Sequence, residues 1–300
     1  DEKFRFIGGA RLEHDDQILN SQDLNGSPLH YDKAHDDVLP SLSLVYSMNE
    51  KTNIRLAATE TVCRPEFREI APFGFYDFET GSFIQGNDSL DRALIRNLDF
   101  RLEFYPTAGE LISVSAFHKR IQGAIEATNQ GSNSVKSWAN AKEPAVNYGV
   151  ELEVRKSLRF LGSLFDNFTI GGNYSYIVSH VNVHDLSLGL QEERPMQGQS
   201  PFTVNLSLLF SDPVHGTSIT VLYNTYGKRI AEVNPYTGDL YEQPRNVIDL
   251  SISQPLFDRY ELKYTAKDIL AEPQDFLSEG RLERRNQRGS VHSLSFTIKL

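Results

Sequence analysis

Asn147-Tyr148-Gly149-Val150-Glu151-Leu152-Glu153-Val154-Arg155-Lys156-Ser157-Leu158 is the stretch that decides the fold. Its even positions carry Tyr148, Val150, Leu152 and Val154; its odd positions carry Asn147, Gly149, Glu151, Glu153 and Arg155. Successive side chains of an extended chain point to opposite faces, so this period of two separates an apolar face from a charged one. A wall between hydrocarbon and a watery lumen requires that separation.

Eleven further stretches alternate in the same way. Phe4, Phe6, Ala10 and Leu12 alternate with Arg5, Arg11 and Glu13, and Leu42, Leu44, Tyr46 and Met48 with Ser41, Ser43 and Ser47. Ile54, Leu56 and Ala58 alternate with Asn53, Arg55, Ala57 and Thr59, and Leu98, Phe100, Leu102 and Phe104 with Asn97, Asp99, Arg101 and Glu103. The others are Ile112–His118, Phe168–Val178, Phe202–Phe210, Ile219–Thr225, Ile248–Gln254, Leu262–Ala266 and His292–Leu300. With their flanks, most approach the roughly ten residues that a tilted strand needs to cross a bilayer. The prediction is an all-β fold: a transmembrane antiparallel β-barrel wall of about twelve strands in an up-and-down meander.

The connections support it. Short ones (Asn49–Thr52, Pro106–Gly109, Arg159–Asn167, Ser211–Gly216, Pro255–Tyr260) alternate with long ones (Asp15–Asp37, Cys63–Asp91, Gly123–Glu143, His180–Gly198, Arg229–Pro244, Leu270–Gly289). Outer-membrane barrels have short periplasmic turns and longer extracellular loops, which puts the long connections outside and both chain ends in the periplasm. Glu60, Arg96, His118, Arg120 and Asp268 break the apolar pattern, each at the long-connection end of its strand, where a charge near the interface costs little. Lys156 lies near a short turn. Aromatics of the apolar parity gather at strand ends, Tyr46, Phe104, Phe168 and Phe210 at one and Tyr148, Tyr176 and Phe202 at the other, as interfacial girdles do. A soluble antiparallel sandwich also alternates, but its turns would not sort by length.

Composition narrows the classes. A mean hydropathy of −0.39 over 300 residues fits a barrel, in which only half of each strand is apolar, and excludes helical spans. A net charge of −10 argues against nucleic acid, and the one basic run, Arg281–Arg288, is expected in a loop that is solvated or touches a phosphate or lipopolysaccharide. Cys63 alone can form no disulfide framework and reads as a small residue at a strand end. The opening residues do not read as a signal peptide, and Asp1 begins almost on a strand, as expected of a chain cut from a longer one.

No catalytic constellation is present: none of the eight histidines forms His-x-x-x-His, and Gly-x-Ser-x-Gly is absent. Asp23-Leu24-Asn25-Gly26, with Asp15, Asp16, Asp36 and Asp37, resembles part of a calcium loop without its bidentate glutamate and reads as an acidic surface loop. No enzyme, metal or cofactor is expected. Arg101, Glu103, Glu151, Glu153 and Arg155 fall on the lumenal parity, where they either satisfy one another in pairs or contact something held inside the barrel.

A series of segments carries a resemblance. Arg64-Pro65-Glu66-Phe67-Arg68-Glu69-Ile70-Ala71-Pro72-Phe73 is followed by Gly86-Asn87-Asp88-Ser89-Leu90, Asn97-Leu98-Asp99-Phe100 and Tyr148-Gly149-Val150-Glu151-Leu152-Glu153. Then come Gln197-Gly198-Gln199-Ser200-Pro201 and Leu262-Lys263-Tyr264-Thr265-Ala266-Lys267-Asp268-Ile269-Leu270. In this order they resemble the C-terminal half of the barrel of a TonB-dependent outer-membrane receptor. The resemblance implies a barrel of about twenty-two strands, filled by an N-terminal plug and energised by TonB. It implies extracellular loops that capture a scarce solute such as a siderophore–iron complex or a glycan, with a surface lipoprotein as a further candidate partner. Loop aromatics and cations are then the candidates for solute contact: Arg64, Arg68, Phe75, Tyr76, Trp138, Tyr236 and Tyr241. The chain departs from the family pattern: it has no plug, only about half the strands, and an end at Phe296-Thr297-Ile298-Lys299-Leu300 where an aromatic is usual. All three departures suit a C-terminal barrel portion, residues 1–300, and the outermost strands Lys3–His14 and Val291–Leu300 are expected to leave their outer edges unpaired in an open sheet, the alternative being a sheet that closes on itself by pairing them. A self-contained twelve-stranded passive channel and an adhesin-like structural barrel are the alternatives.

Overall fold

The computed structural model describes residues 3–22, 26–71, 73–78, 81–130, 135–184, 186, 193–234, 238–257 and 259–298. Twelve long strands form one antiparallel meander in chain order. They are β1 (Phe4–Gln22), β2 (Pro28–Asn49), β3 (Thr52–Cys63), β4 (Ala93–Phe104), β5 (Leu111–Gln122) and β6 (Ala145–Ser157). The second six are β7 (Phe168–Asn182), β8 (Phe202–Ser211), β9 (Ser218–Tyr226), β10 (Val247–Leu256), β11 (Tyr260–Lys267) and β12 (Val291–Ile298). Among the described residues no ladder joins β1 to β12, so the sheet is open.

The register places like with like. Leu152 of β6 lies opposite Val114 and Tyr174, while Glu151 lies opposite Ser115 and Ser175. Leu152 is 44% exposed, as Phe100, Val150, Val154, Leu206 and Leu208 are exposed on the same face, whereas Glu103 and Ser113 on the other face are buried. Gly149 is required by close backbone approach: a Cβ there would stand 2.1 Å from the Tyr176 carbonyl oxygen, with the ring of its register partner Phe117 a further 2.9 Å contact.

Three expectations are corrected, all in the connections. Asp15–Asp37 is a continuation of the sheet: β1 and β2 stay paired from Phe4 opposite Tyr46 to Gln22 opposite Pro28. Polar pairs hold this extension in place of apolar alternation; His14 bonds Asp36 at 2.8 Å and His30 bonds Asn20 at 2.7 Å. Asp23, Leu24 and Asn25 of the calcium-like segment lie outside the described residues.

Cys63–Asp91 and Gly123–Glu143 are folded together. Strands Gly74–Asp77, Ser82–Gln85, Val135–Asn140 and Ile125–Gln130 make one four-stranded sheet, joined where Phe83 pairs in parallel with Val135. Arg229–Pro244 and Leu270–Gly289 likewise share a sheet of Arg229–Glu232, Leu240–Glu242, Gln274–Ser278 and Arg281–Asn286. The basic run is therefore largely a strand and not a loop. Arg284 donates to Glu232 at 2.9 Å and Arg285 to Asp275 at 2.6 Å, so two of its guanidinium groups are engaged in ion pairs.

The hydrophobic core follows from this folding. Tyr31, Ile70 and Leu90 form one buried cluster, against which Trp138 packs. Ala93, Ile121, Ala124, Ala141, Ala145, Val181 and Val183 form the second. Both lie at the long-connection end of the sheet.

Candidate functional site

The polar face carries a charge ladder. Arg55 Nε donates to Glu103 at 2.8 Å, and Arg101 Nε donates to the other oxygen of Glu103 at 3.0 Å. Arg101 then reaches across β5 to Glu153 on β6, with Nη2 at 2.7 Å from its carboxylate. It can do so because β5 presents only the small side chains of Ser113 and Ser115 at the rows between Arg101 and Glu153, and Ser115 accepts a further bond at 3.3 Å. Glu151 accepts from Ser175 at 3.3 Å. Arg155 is exposed and makes no ion pair among the described residues. Farther along, Asn173, Asn205 and Asn224 continue the polar row through bonds of 2.8 and 2.7 Å. Three of the five lumenal charges, Arg101, Glu103 and Glu153, thus satisfy one another with Arg55, which keeps partly buried charge compensated.

The motif segments build the long-connection end. Phe67–Ile70 is a single helical turn with a reciprocal cap between Glu66 and Glu69, and it drives Ile70 into the core. Gly86 is needed because its Cβ would stand 2.2 Å from the Ala71 carbonyl oxygen. The next residue, Asn87, donates to the Trp138 carbonyl at 2.8 Å and so ties the two connections together. Gln197 donates to the Ala231 carbonyl at 2.6 Å, and the Gly198 N–H to that of Ile230 at 2.9 Å. Ser200 bonds the Phe202 and Gly227 carbonyls at 2.6 and 3.1 Å.

The residues chosen for solute contact are placed differently from one another. Arg64, just past β3, is surrounded by Glu13, Asp15 and Asp37 at 2.8, 3.1 and 2.9 Å. Asp37 is shared with Arg92 at 2.7 Å. The guanidinium of Arg64 therefore clamps β1 and β2. Arg68 stacks over the Phe75 ring at 4.2 Å. Tyr76 is half exposed and meets Phe78 edge-on at 5.1 Å. Lys228 sits over Tyr241 at 3.9 Å. Tyr236 lies outside the described residues.

Among the described residues of the set, only Trp138 lines a cleft of about 490 Å3 between the two accessory sheets. Ile125, Glu126 and Ala127 line it from the first sheet, Arg229, Ile230 and Glu242 from the second, with Gln197 and Gly198 bridging. A salt bridge from Lys136 to Glu232 joins the sheets. Glu126 and Arg194 form a pair at 2.7 Å with both side chains almost wholly buried. Burial pushes the Glu126 carboxyl above its ordinary range, although Arg194 and the Gln197 N–H oppose it. Burial acts the same way on Glu242 but is outweighed by bonds from Arg229, Tyr226 and Gln274, so that carboxyl lies below its ordinary range. Two carboxylates of opposite tendency and one indole thus face one opening. Sequence reasoning missed Glu126, Arg194, Arg229 and Glu242; the only nearby signal was the Gln197–Pro201 segment.

An antiparallel meander with one apolar exposed face, one charge-paired face and folded connections at one end defines the wall of an outer-membrane β-barrel. The chain belongs to the TonB-dependent receptor β-barrel family: the family described as TonB dependent receptor-like, beta-barrel matches residues 1–267. Among solved structures, the closed form of the ferric-catecholate import receptor Fiu from E. coli K12 superposes with a TM-score of 0.68 at 10% identity, over 99% of this chain and 42% of that one. The FrpB iron transporter of Neisseria meningitidis gives 0.62 at 15% identity, over 99% and 43%. The siderophore receptor PirA of Pseudomonas aeruginosa gives 0.59 at 15% identity, over 98% and 48%. At these identities the likeness is one of fold, and the chain spans less than half the length of each. No match was found among curated proteins.

Proposed function

We propose that the chain is the C-terminal portion of the barrel of a TonB-dependent outer-membrane transporter, its apolar face in lipid and its long connections outside the cell. In the full receptor, further strands complete the edges at β1 and β12, because unpaired backbone groups in hydrocarbon cost several kcal/mol each. A plug acting through TonB supplies the energy, and the protein does no covalent chemistry. The observation that carries the reading is the cleft at the long-connection end, whose walls come from both accessory sheets and which opens beside Trp138, Glu126, Arg229 and Glu242. The proposed solute is a scarce chelate of the siderophore–iron class; the likeness in fold to a siderophore receptor and a ferric-catecholate import receptor supports that class.

The test is solute uptake by the full-length receptor in cells with and without TonB. Uptake should vanish without TonB; unchanged uptake would favour a passive channel. Trp138→Ala should raise the half-saturation concentration about tenfold, the equivalent of one lost aromatic contact. Loop-dependent adhesion to a protein without solute flux would favour the adhesin-like reading.

A further inference from the structure

The apolar face is not apolar throughout. Glu60 of β3, Arg96 of β4 and Arg120 of β5 are register partners in that order, one row from the long connections. His118 lies one row further in, opposite Leu98 and Tyr148. Two arginines directly opposite each other on one sheet face repel. Glu60 compensates only the first, at 3.1 Å from Arg96 Nε, and leaves that side chain 75% exposed. Arg120 is exposed and has no acidic partner among the described residues. The arrangement lacks one anion.

Beneath the pair the face is hollowed. Ala58 and Ala116 are short among Leu42, Leu56, Leu98 and Phe100, leaving an apolar groove of about 560 Å3 that reaches His118. A guanidinium pair is matched to phosphate by geometry as well as charge, since each can donate two parallel bonds. An apolar groove leading away from it is matched to a hydrocarbon chain.

We propose that this face docks a phosphorylated acyl lipid of the outer leaflet. Its phosphate bridges Arg96 and Arg120 beside His118, and one acyl chain lies along the groove past Ala58 and Ala116. The site is on the opposite face from the solute cleft and rests on the orientation proposed above, with the long connections outside.

The test uses the full-length receptor purified in detergent, with lipid A as the probe and native mass spectrometry as the measurement. Lipid A should bind, and Arg96→Gln with Arg120→Gln should weaken it at least about tenfold. Lipid A stripped of phosphate should bind as weakly to the unaltered protein. Ala116→Leu, which fills the groove, should weaken lipid A without changing the binding of inorganic phosphate. Equal binding by the double variant overturns the proposal, as does inorganic phosphate binding as tightly as lipid A, or a dimer that buries this face. Orientation is read separately, by labelling a Phe78→Cys variant with an impermeant maleimide on intact cells; Phe78 is 90% exposed at the long-connection end. Absence of labelling overturns the orientation and this inference with it. Labelling together with unimpaired binding by the double variant overturns this inference alone.

Discussion

The sheet wall and the folded connections are stabilised by different physics. In the wall, apolar side chains such as Val150 and Leu152 remain exposed, and the opposite face is held by ion pairs and amide ladders. In the connections, Ile70, Leu90 and Ile230 are almost completely buried, as in the core of a soluble domain. The wall relies on its surroundings to cover its apolar face, whereas the connections cover their own. The difference teaches that the receptor-like end folds as packed protein anchored to the wall, with its motifs serving first to pack and tie connections together.

The largest effect should come from breaking the buried pair in the connections. Arg194→Ala should cost about 3–5 kcal/mol of local stability at neutral pH, because it leaves the Glu126 carboxylate buried without a compensating cation. Hydrogen exchange over residues 123–144 should rise accordingly. Glu126→Leu combined with Arg194→Met should recover most of the loss; a double variant as unstable as the single one would reject this account.

In the wall, Leu152→Arg should cost about 2–4 kcal/mol in a bilayer, because it places a charge at mid-strand on the apolar face. The same change at Leu164, 81% exposed in a short turn, should cost no more than about 0.5 kcal/mol. Refolding into lipid vesicles measures both. Equal costs would mean that the apolar face does not meet hydrocarbon.

The smallest effect is the response of the cleft to pH. Glu126 is raised above its ordinary value of 4.5, so its contribution to folding is greatest in acid and is lost as pH rises from that value through the raised one. Glu242 is lowered below the same ordinary value, so its contribution is present above 4.5 and is lost as pH falls through the lowered one. On acidification from neutral pH, protection against exchange, corrected for the intrinsic pH dependence, should rise first at 125–130, and only at lower pH should it fall at 240–242. The reverse order would contradict both directions, and Glu126→Gln should abolish the first phase.

Particular residues show how far the sequence reached. Period two located all twelve long strands, and the side taken by Leu152 against Glu151 followed from parity alone. The extension of β1 and β2 past His14 and Asp36 was illegible, because polar cross-strand pairs leave no apolar alternation to read. Arg281–Asn286 read as a loop because its partner Gln274–Ser278 is short and the pairing depends on Asp275 and Glu232. Trp138 was found as a loop aromatic, but nothing in the chain announced that Glu126 would meet Arg194 or that Arg229 and Glu242 would line the same opening.

By itself, the sequence determined the class of protein, the strand order and the face of nearly every wall residue. Those depend on local alternation and on short turns between neighbours in the chain. Only the tertiary structure decided which connections share a sheet, which carboxylates are buried, and which small residues hollow the apolar face beneath Arg96 and Arg120. Those depend on contacts between segments far apart in the chain, where no periodicity records the partner and burial decides the charge.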